Sequence, residues 1–340
     1  MDNRLFLSGN ETYSNYRIPG MTVSARGTLL AYFEARRSSD DWADMDILLF
    51  RSEDGGNSFS DPIVLARGTE ALPTVNNPVC IAEPDGTLHF LFCRNYAVDG
   101  GGVFYRRSDD DGKTWSEEIC ITSSARPELH NVFACGPGHG IYTSRGFLLV
   151  PVWTVLKEHN APLRSHHPAS VSTLYSADHG RSWQLGELLR ETPSVPDPNE
   201  TQAAELSDGS IYVNVRSSGA GFRARAWSET GISGWTPLTL DPSMPDPTCF
   251  GSVVRYRHGG EDLLLAVNCA HREKRENLVC RASRDGGRTW YAALTVEPGD
   301  AGYADIAVLP DGTVCVLYEQ SAGVRERFAR FSLSALMTIG

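Results

Sequence analysis

Long apolar runs are missing from this 340-residue chain, so no membrane-spanning helix is expected. Excess basic charge is missing too: 31 Lys and Arg stand against 42 Asp and Glu, a net charge of -11. That balance argues against a general binder of nucleic-acid phosphates, which needs a basic face. It leaves room for a small anionic ligand, because a local Arg cluster outweighs distant charge at a screening length of roughly 8 Å. The eight cysteines (80, 93, 120, 135, 249, 269, 280 and 315) show no CxxC spacing. Several lie in strand-like runs, so buried, reduced thiols are expected rather than a zinc site or a disulfide framework. His139, His166 and His167 lack companions at metal-ligand spacing and read as structural or rim residues; no metal or cofactor is implied. The first ten residues hold no apolar stretch of signal-peptide length, which, with the thiols, predicts a cytoplasmic location. Linkers and low-complexity segments are absent, so residues 1–340 read as one domain. Strong amphipathic helices are absent as well, apart from a turn or two near Phe331–Met337.

What the chain does have is repetition. Four copies of one box read Ser52-x-Asp54-x-Gly56-x-Ser58-Phe59, Ser108 to Trp115, Ser176 to Trp183 and Ser283 to Trp290. A decayed fifth copy, Ser228 to Trp235, keeps its first and last residues and loses the Asp and Gly. Asp and Ser side chains bond to nearby backbone, Gly supplies a permissive φ, and the aromatic residue buries a large apolar surface. The boxes therefore read as staples of the fold. A second repeat runs independently: glycines 27, 86, 146, 209, 260 and 312 each lead into an apolar run. Their spacing of roughly 50–60 residues, with short apolar runs of no helical period, is that of propeller blades of about four strands. Six such units predict an all-β, six-bladed β-propeller. The unboxed blade is expected to close the ring by pairing strands from both termini.

Unrepeated residues lie between the copies. Tyr16-Arg17-Ile18-Pro19 precedes the first Gly turn, and the charged run Glu34 to Asp41 follows it. Asn199-Glu200, Arg216, Arg275, Tyr303 and Glu319 follow in order, with Gly136-Pro137-Gly138-His139-Gly140 between. Taken with the Asp boxes, this ordered set resembles the sialidase (neuraminidase) family over nearly the whole chain. Gly20 after Pro19, the decayed box and Trp42 depart from that pattern.

The resemblance implies a role for each matching residue. Arg17, Arg216 and Arg275 form a triad that holds the substrate carboxylate, and guanidinium groups suit that task as bidentate, permanently charged donors. Glu319 orients Arg17. Tyr303 is the nucleophile and Glu200 its base; a neutral phenol avoids the repulsion that a carboxylate would meet at an anomeric carbon already bearing one. Asp41 is the general acid and base, favoured over its neighbour Asp40, and its loop is expected to raise its pKa by desolvation. Arg36 contacts a ring hydroxyl, and Asn77 lines the pocket. The implied activity is that of a retaining exo-α-sialidase acting on a terminal sialoside through a tyrosyl-enzyme. The alternatives are a hydrolase of a related keto-deoxy acid such as Kdn or Kdo, and a non-catalytic Asp-box propeller lectin; transglycosylation is a variant that the same residues would support.

Overall fold

The computed structural model describes residues 1–125 and 127–337. Within them, strands pair into six separate sheets of four or five strands, antiparallel but for one short parallel pairing, set around an axis as the six blades of a propeller. In blade 1 the strands are Asn15–Val23, Leu29–Arg36, Met45–Ser52 and Ile63–Arg67, in that order from the axis outward. The first strands of successive blades pack against one another around the channel.

The Gly turns lie where the second repeat placed them, each joining the first strand of a blade to its second. All six glycines have φ between 81° and 99°, a region closed to most side chains. The second strands read as unbroken apolar runs because blades cover both of their faces. Leu29, Leu30, Ala31, Tyr32 and Phe33 are all fully buried in consequence.

The boxes occupy the turns between third and fourth strands. Each Ser hydroxyl accepts the Gly N–H and donates to the Asp; in blade 1 these bonds, at Ser52, are 2.8 Å each. Asp54 then accepts from the Ser58 N–H and hydroxyl at 2.9 and 2.6 Å. The decayed copy keeps only the Ser half: Ser228 accepts the Gly231 N–H at 2.9 Å. Blade 6 has no box for a topological reason. Its outermost strand, Asp2–Ser8, comes from the opposite end of the chain and pairs with Arg325–Ser332, so no turn joins them. The helix Leu333–Met337 follows.

These bonds carry a pH dependence. Hydrogen bonds from Ser182 and Ser176 hold the Asp178 carboxyl down at about 2, against an ordinary 3.8. A depressed pKa stabilises the fold above the ordinary value, and that contribution is lost as pH falls toward about 2. Asp178→Asn is expected to melt a few degrees below the parent at neutral pH, with the gap closing in acid; calorimetry across pH 2–7 checks this, and a constant gap would refute it.

The Gly136–Gly140 segment interrupts the first strand of blade 3. His130–Cys135 and Ile141–Tyr142 both pair with Leu148–Leu156, but Gly138–His139 leaves that sheet and pairs in parallel with Val79–Cys80 of blade 2. Gly138 is required there. A Cβ would lie 2.5 Å from the Gln202 amide and 2.9 Å from Phe250. The detour carries His139 to Asp305 of blade 6, at 2.9 Å. All eight cysteines are free and seven are buried; Cys120 is exposed, unlike the expectation for it. No helix of the described residues is long and apolar enough to cross a membrane.

Candidate active site

Gly turns and boxes share one end of the propeller, and the unrepeated residues gather at the other. Arg17, Asn77 and Glu200 stand near the starts of first strands, and Tyr303 immediately precedes one. Asp41 and Arg275 sit in loops between second and third strands, while Arg216 and Glu319 are at the ends of second strands. Register breaks fall between Arg17 and Gly20, Asn76 and Val79, and Pro198 and Thr201. Such bulges re-aim side chains at strand ends. Two contain left-handed residues, Ile18 at φ 58° and Asn77 at φ 54°. For a β-branched residue this is costly, about 1–3 kcal/mol. Glu319 holds the kink by accepting the Ile18 N–H at 2.9 Å.

The result is a cavity of about 270 Å³ lined by Arg17, Asp41, Asn77, Glu200, Arg216, Arg275 and Tyr303, with Ile18, Tyr96, Trp153, Asn199, His166 and His167 completing the wall. Three guanidinium carbons surround the Tyr303 ring: Arg17 at 5.1 Å, Arg275 at 5.3 Å and Arg216 at 5.9 Å from its centroid. Arg17 pairs with Glu319 at 2.8 Å, and Arg216 pairs with Glu200. Arg275 bonds to the Thr248 carbonyl at 3.3 Å and has no carboxylate partner among the described residues. One positive charge of the triad is therefore uncompensated, which suits one carboxylate. The buried Nε of Arg216 also lacks a partner among the described residues.

The Tyr303 hydroxyl donates to Glu200 Oε1 at 2.8 Å and accepts from Arg216 Nη1 at 2.6 Å. Burial pushes this phenol well above its ordinary range, and Glu200 adds to the shift; the three Arg oppose it without prevailing. At rest Tyr303 is a neutral phenol already bonded to its proton acceptor.

Asp41 departs from expectation. Its carboxylate is 48% exposed and ion-paired to Arg36 at 2.7 Å. Burial alone would raise its pKa, but Arg36, then Arg17 and His166, hold it below the usual carboxylate value. Desolvation does not win here because a cation lies in direct contact. Arg36 departs as well. Its side chain is 0% exposed, does not line the cavity, and is shared between Glu34, at 2.5 Å, and Asp41. Its ion pair holds the Asp41 loop. Asp40 turns away, accepting the Trp42 N–H at 2.6 Å. Trp42 packs its ring 4.8 Å from Tyr96 and under Arg164 at 4.7 Å, pinning the loop from behind.

Tyr96 and Trp153 were not singled out in the sequence, Asn199 was named only beside Glu200, and His166 and His167 lie in the cavity wall. Trp153 sits in the apolar second strand Leu148–Leu156, and Tyr96 in the short turn Asn95–Ala97 just after a second strand, where no motif marks either one. His139 is structural: burial disfavours its charge, but Asp305 overrides this and raises its pKa. No cluster of metal-ligating side chains occurs among the described residues.

The BNR repeat-like domain model matches residues 27–316. The sialidase of Micromonospora viridifaciens is 30% identical over 98% of this chain and 54% of its own length. That of Bacteroides fragilis is 27% identical over 92% and 61%. The chain thus spans little more than half of these relatives. Among solved structures, the Hadza microbial sialidase Hz136 superposes with a TM-score of 0.85 at 26% identity, covering 96% of this chain and 67% of that one. An intramolecular trans-sialidase from Ruminococcus gnavus shares the fold, with a TM-score of 0.82 at 18% identity over 98% of both chains. With its Asp-box blades and a repeat model matching most of its length, the chain belongs to the BNR-repeat sialidase family.

Proposed function

We propose that this chain is a retaining exo-α-sialidase that releases terminal α-linked sialic acid through a tyrosyl-enzyme. The observation that carries the reading is the convergence of Arg17, Arg216 and Arg275 over a phenol hydrogen-bonded to Glu200. The triad takes the sugar carboxylate and thereby sets the anomeric carbon near the Tyr303 oxygen. Asp41, once protonated, gives its proton to the leaving glycosidic oxygen as the bond to the anomeric carbon breaks. Tyr303 attacks that carbon from the opposite side, and its phenolic proton passes to Glu200. In the second half, the Asp41 carboxylate takes a proton from water, which attacks the anomeric carbon. The Tyr303 oxygen leaves and recovers its proton from Glu200. Two inversions give net retention.

The relatives named sialidase and the uncompensated charge at Arg275 support this reading. The test is hydrolysis of a fluorogenic aryl α-sialoside, with proton NMR of the first sugar released to establish its anomer. Arg275→Ala is expected to raise KM with a loss of about 1.5–3 kcal/mol in kcat/KM, the value of a hydrogen bond to a charged group. Unchanged kinetics would remove Arg275 from the carboxylate site, and a β-anomer as first product would exclude retention.

A further inference from the structure

Behind Arg17 lies an ionisable group that the proposed reaction does not use. Glu326 is fully buried in the strand Arg325–Ser332, and neither carboxyl oxygen has a hydrogen-bond donor among the described residues. Directly opposite, in register across the strand pair, stands Glu319. Directly paired residues put their side chains on the same face, and two like charges there repel. The hairpin joining them closes over Arg17. Gly323 at its tip packs so tightly on the Arg17 stem that a Cβ would lie 2.2 Å from Cδ. On the other side, the residue paired with Glu326 is the neutral Leu7. Arg17 is thus the cation for two buried carboxyl groups, and Glu319 already occupies it at 2.8 Å. A second ionised carboxylate would be buried without a counter-charge or a donor, and such a group is neutralised instead.

We propose that Glu326 is a neutral carboxylic acid that directs its O–H at Glu319, and that this pair positions Arg17 for the substrate carboxylate. The inference rests on the reading of Arg17 as a carboxylate receiver. Glu326 is a positioning residue, since it acts through Glu319 and Arg17. Its O–H supplies the one donor that Glu319 otherwise lacks on that side; Glu319 Oε1 already accepts from Arg17 and Ile18, and Oε2 has only the long Tyr303 N–H at 3.4 Å. Burial first, and then the Glu319 charge, push the Glu326 carboxyl well above the usual range. Neutrality also matters for charge. An ionised Glu326 would cancel the single positive charge left over by the triad.

Two measurements test this. The infrared spectrum of the wild type at neutral pH is expected to show the C=O stretch of a protonated carboxyl that disappears in Glu326→Gln. On the aryl α-sialoside, Glu326→Leu is expected to raise KM roughly tenfold with kcat little changed, as Glu319 loses one charge-assisted bond. Glu326→Gln, whose amide can still donate, should recover most of that loss. The Leu variant leaves the buried Glu319 Oε2 without that donor and is expected to melt below the parent. Should it fail to fold, the Gln variant and its spectrum still decide. No difference band, or a wild-type KM in Glu326→Leu, would overturn the proposal. The spectrum requires no turnover, so it stands apart from the activity: an active enzyme without the band refutes Glu326 alone, and a band in a protein that cleaves no sialoside refutes the sialidase reading alone.

Discussion

Tyr303→Phe is expected to lower kcat on an aryl α-sialoside by about 10²-fold or more, the scale on which an activated nucleophile and its base contribute. The aromatic ring and its contacts with the three guanidinium groups remain in this variant, so KM should move much less than kcat. The hydroxyl is what leaves, and with it the bonds to Glu200 at 2.8 Å and Arg216 at 2.6 Å. Glu200→Gln should be impaired in the same way, because the buried phenol is held neutral and cannot ionise in advance of attack. Nucleophile and base act as one unit, so the double variant should be scarcely worse than either single one. Single-turnover kinetics in which Tyr303→Phe accumulates the same glycosyl-enzyme as the parent, detected by mass spectrometry, would exclude Tyr303 as the nucleophile.

The second large effect concerns Asp41, and it depends on the leaving group. With an alkyl aglycone such as lactose, Asp41→Ala should lose about 10²–10⁴-fold in kcat, the usual worth of general acid catalysis. With an aryl aglycone that departs without a proton, cleavage of the sugar should suffer far less. The pH profile follows from the ion pair. Arg36 keeps the Asp41 carboxyl below its ordinary value in the free enzyme, so its acid form exists only in acid solution. Log kcat/KM for sialyl-lactose should therefore fall with rising pH over the weakly acidic range, and more steeply than for the aryl substrate. Identical profiles for the two substrates, or equal losses in Asp41→Ala, would show that Asp41 is not the proton donor.

Residues with a local and repeated job were legible in the chain. A Gly that must take positive φ before an apolar strand, and a Ser–Asp–Gly box that closes its own turn, form their bonds within a few neighbours. Arg17, Glu200 and Tyr303 have no such local job; they were named through the family resemblance, and the structure brings them to one cavity. The behaviour of Asp41 was not legible, because its charge is set by Arg36, which Glu34 in turn secures. Nor was the retreat of Arg36 from the cavity, which depends on its complete burial. The wall residues Tyr96 and Trp153 could not be told from core by composition, since a pocket wall and a blade interior call on the same aromatic surface.

By itself the sequence determined the number of blades, because the Gly turns and boxes rest on short-range backbone chemistry; the candidate reacting groups came from the family resemblance. Tertiary structure decided the charge state and orientation of those groups. Arg17 and Glu319 are far apart in the chain yet in contact, as are Glu200 and Tyr303. A pKa depends on which charges lie within a few ångströms and on how much water is excluded, and neither is written in the neighbours along the chain. Ring closure through Asp2–Ser8 and Arg325–Ser332 is what brings the sixth blade, with its phenol and paired glutamates, against the first.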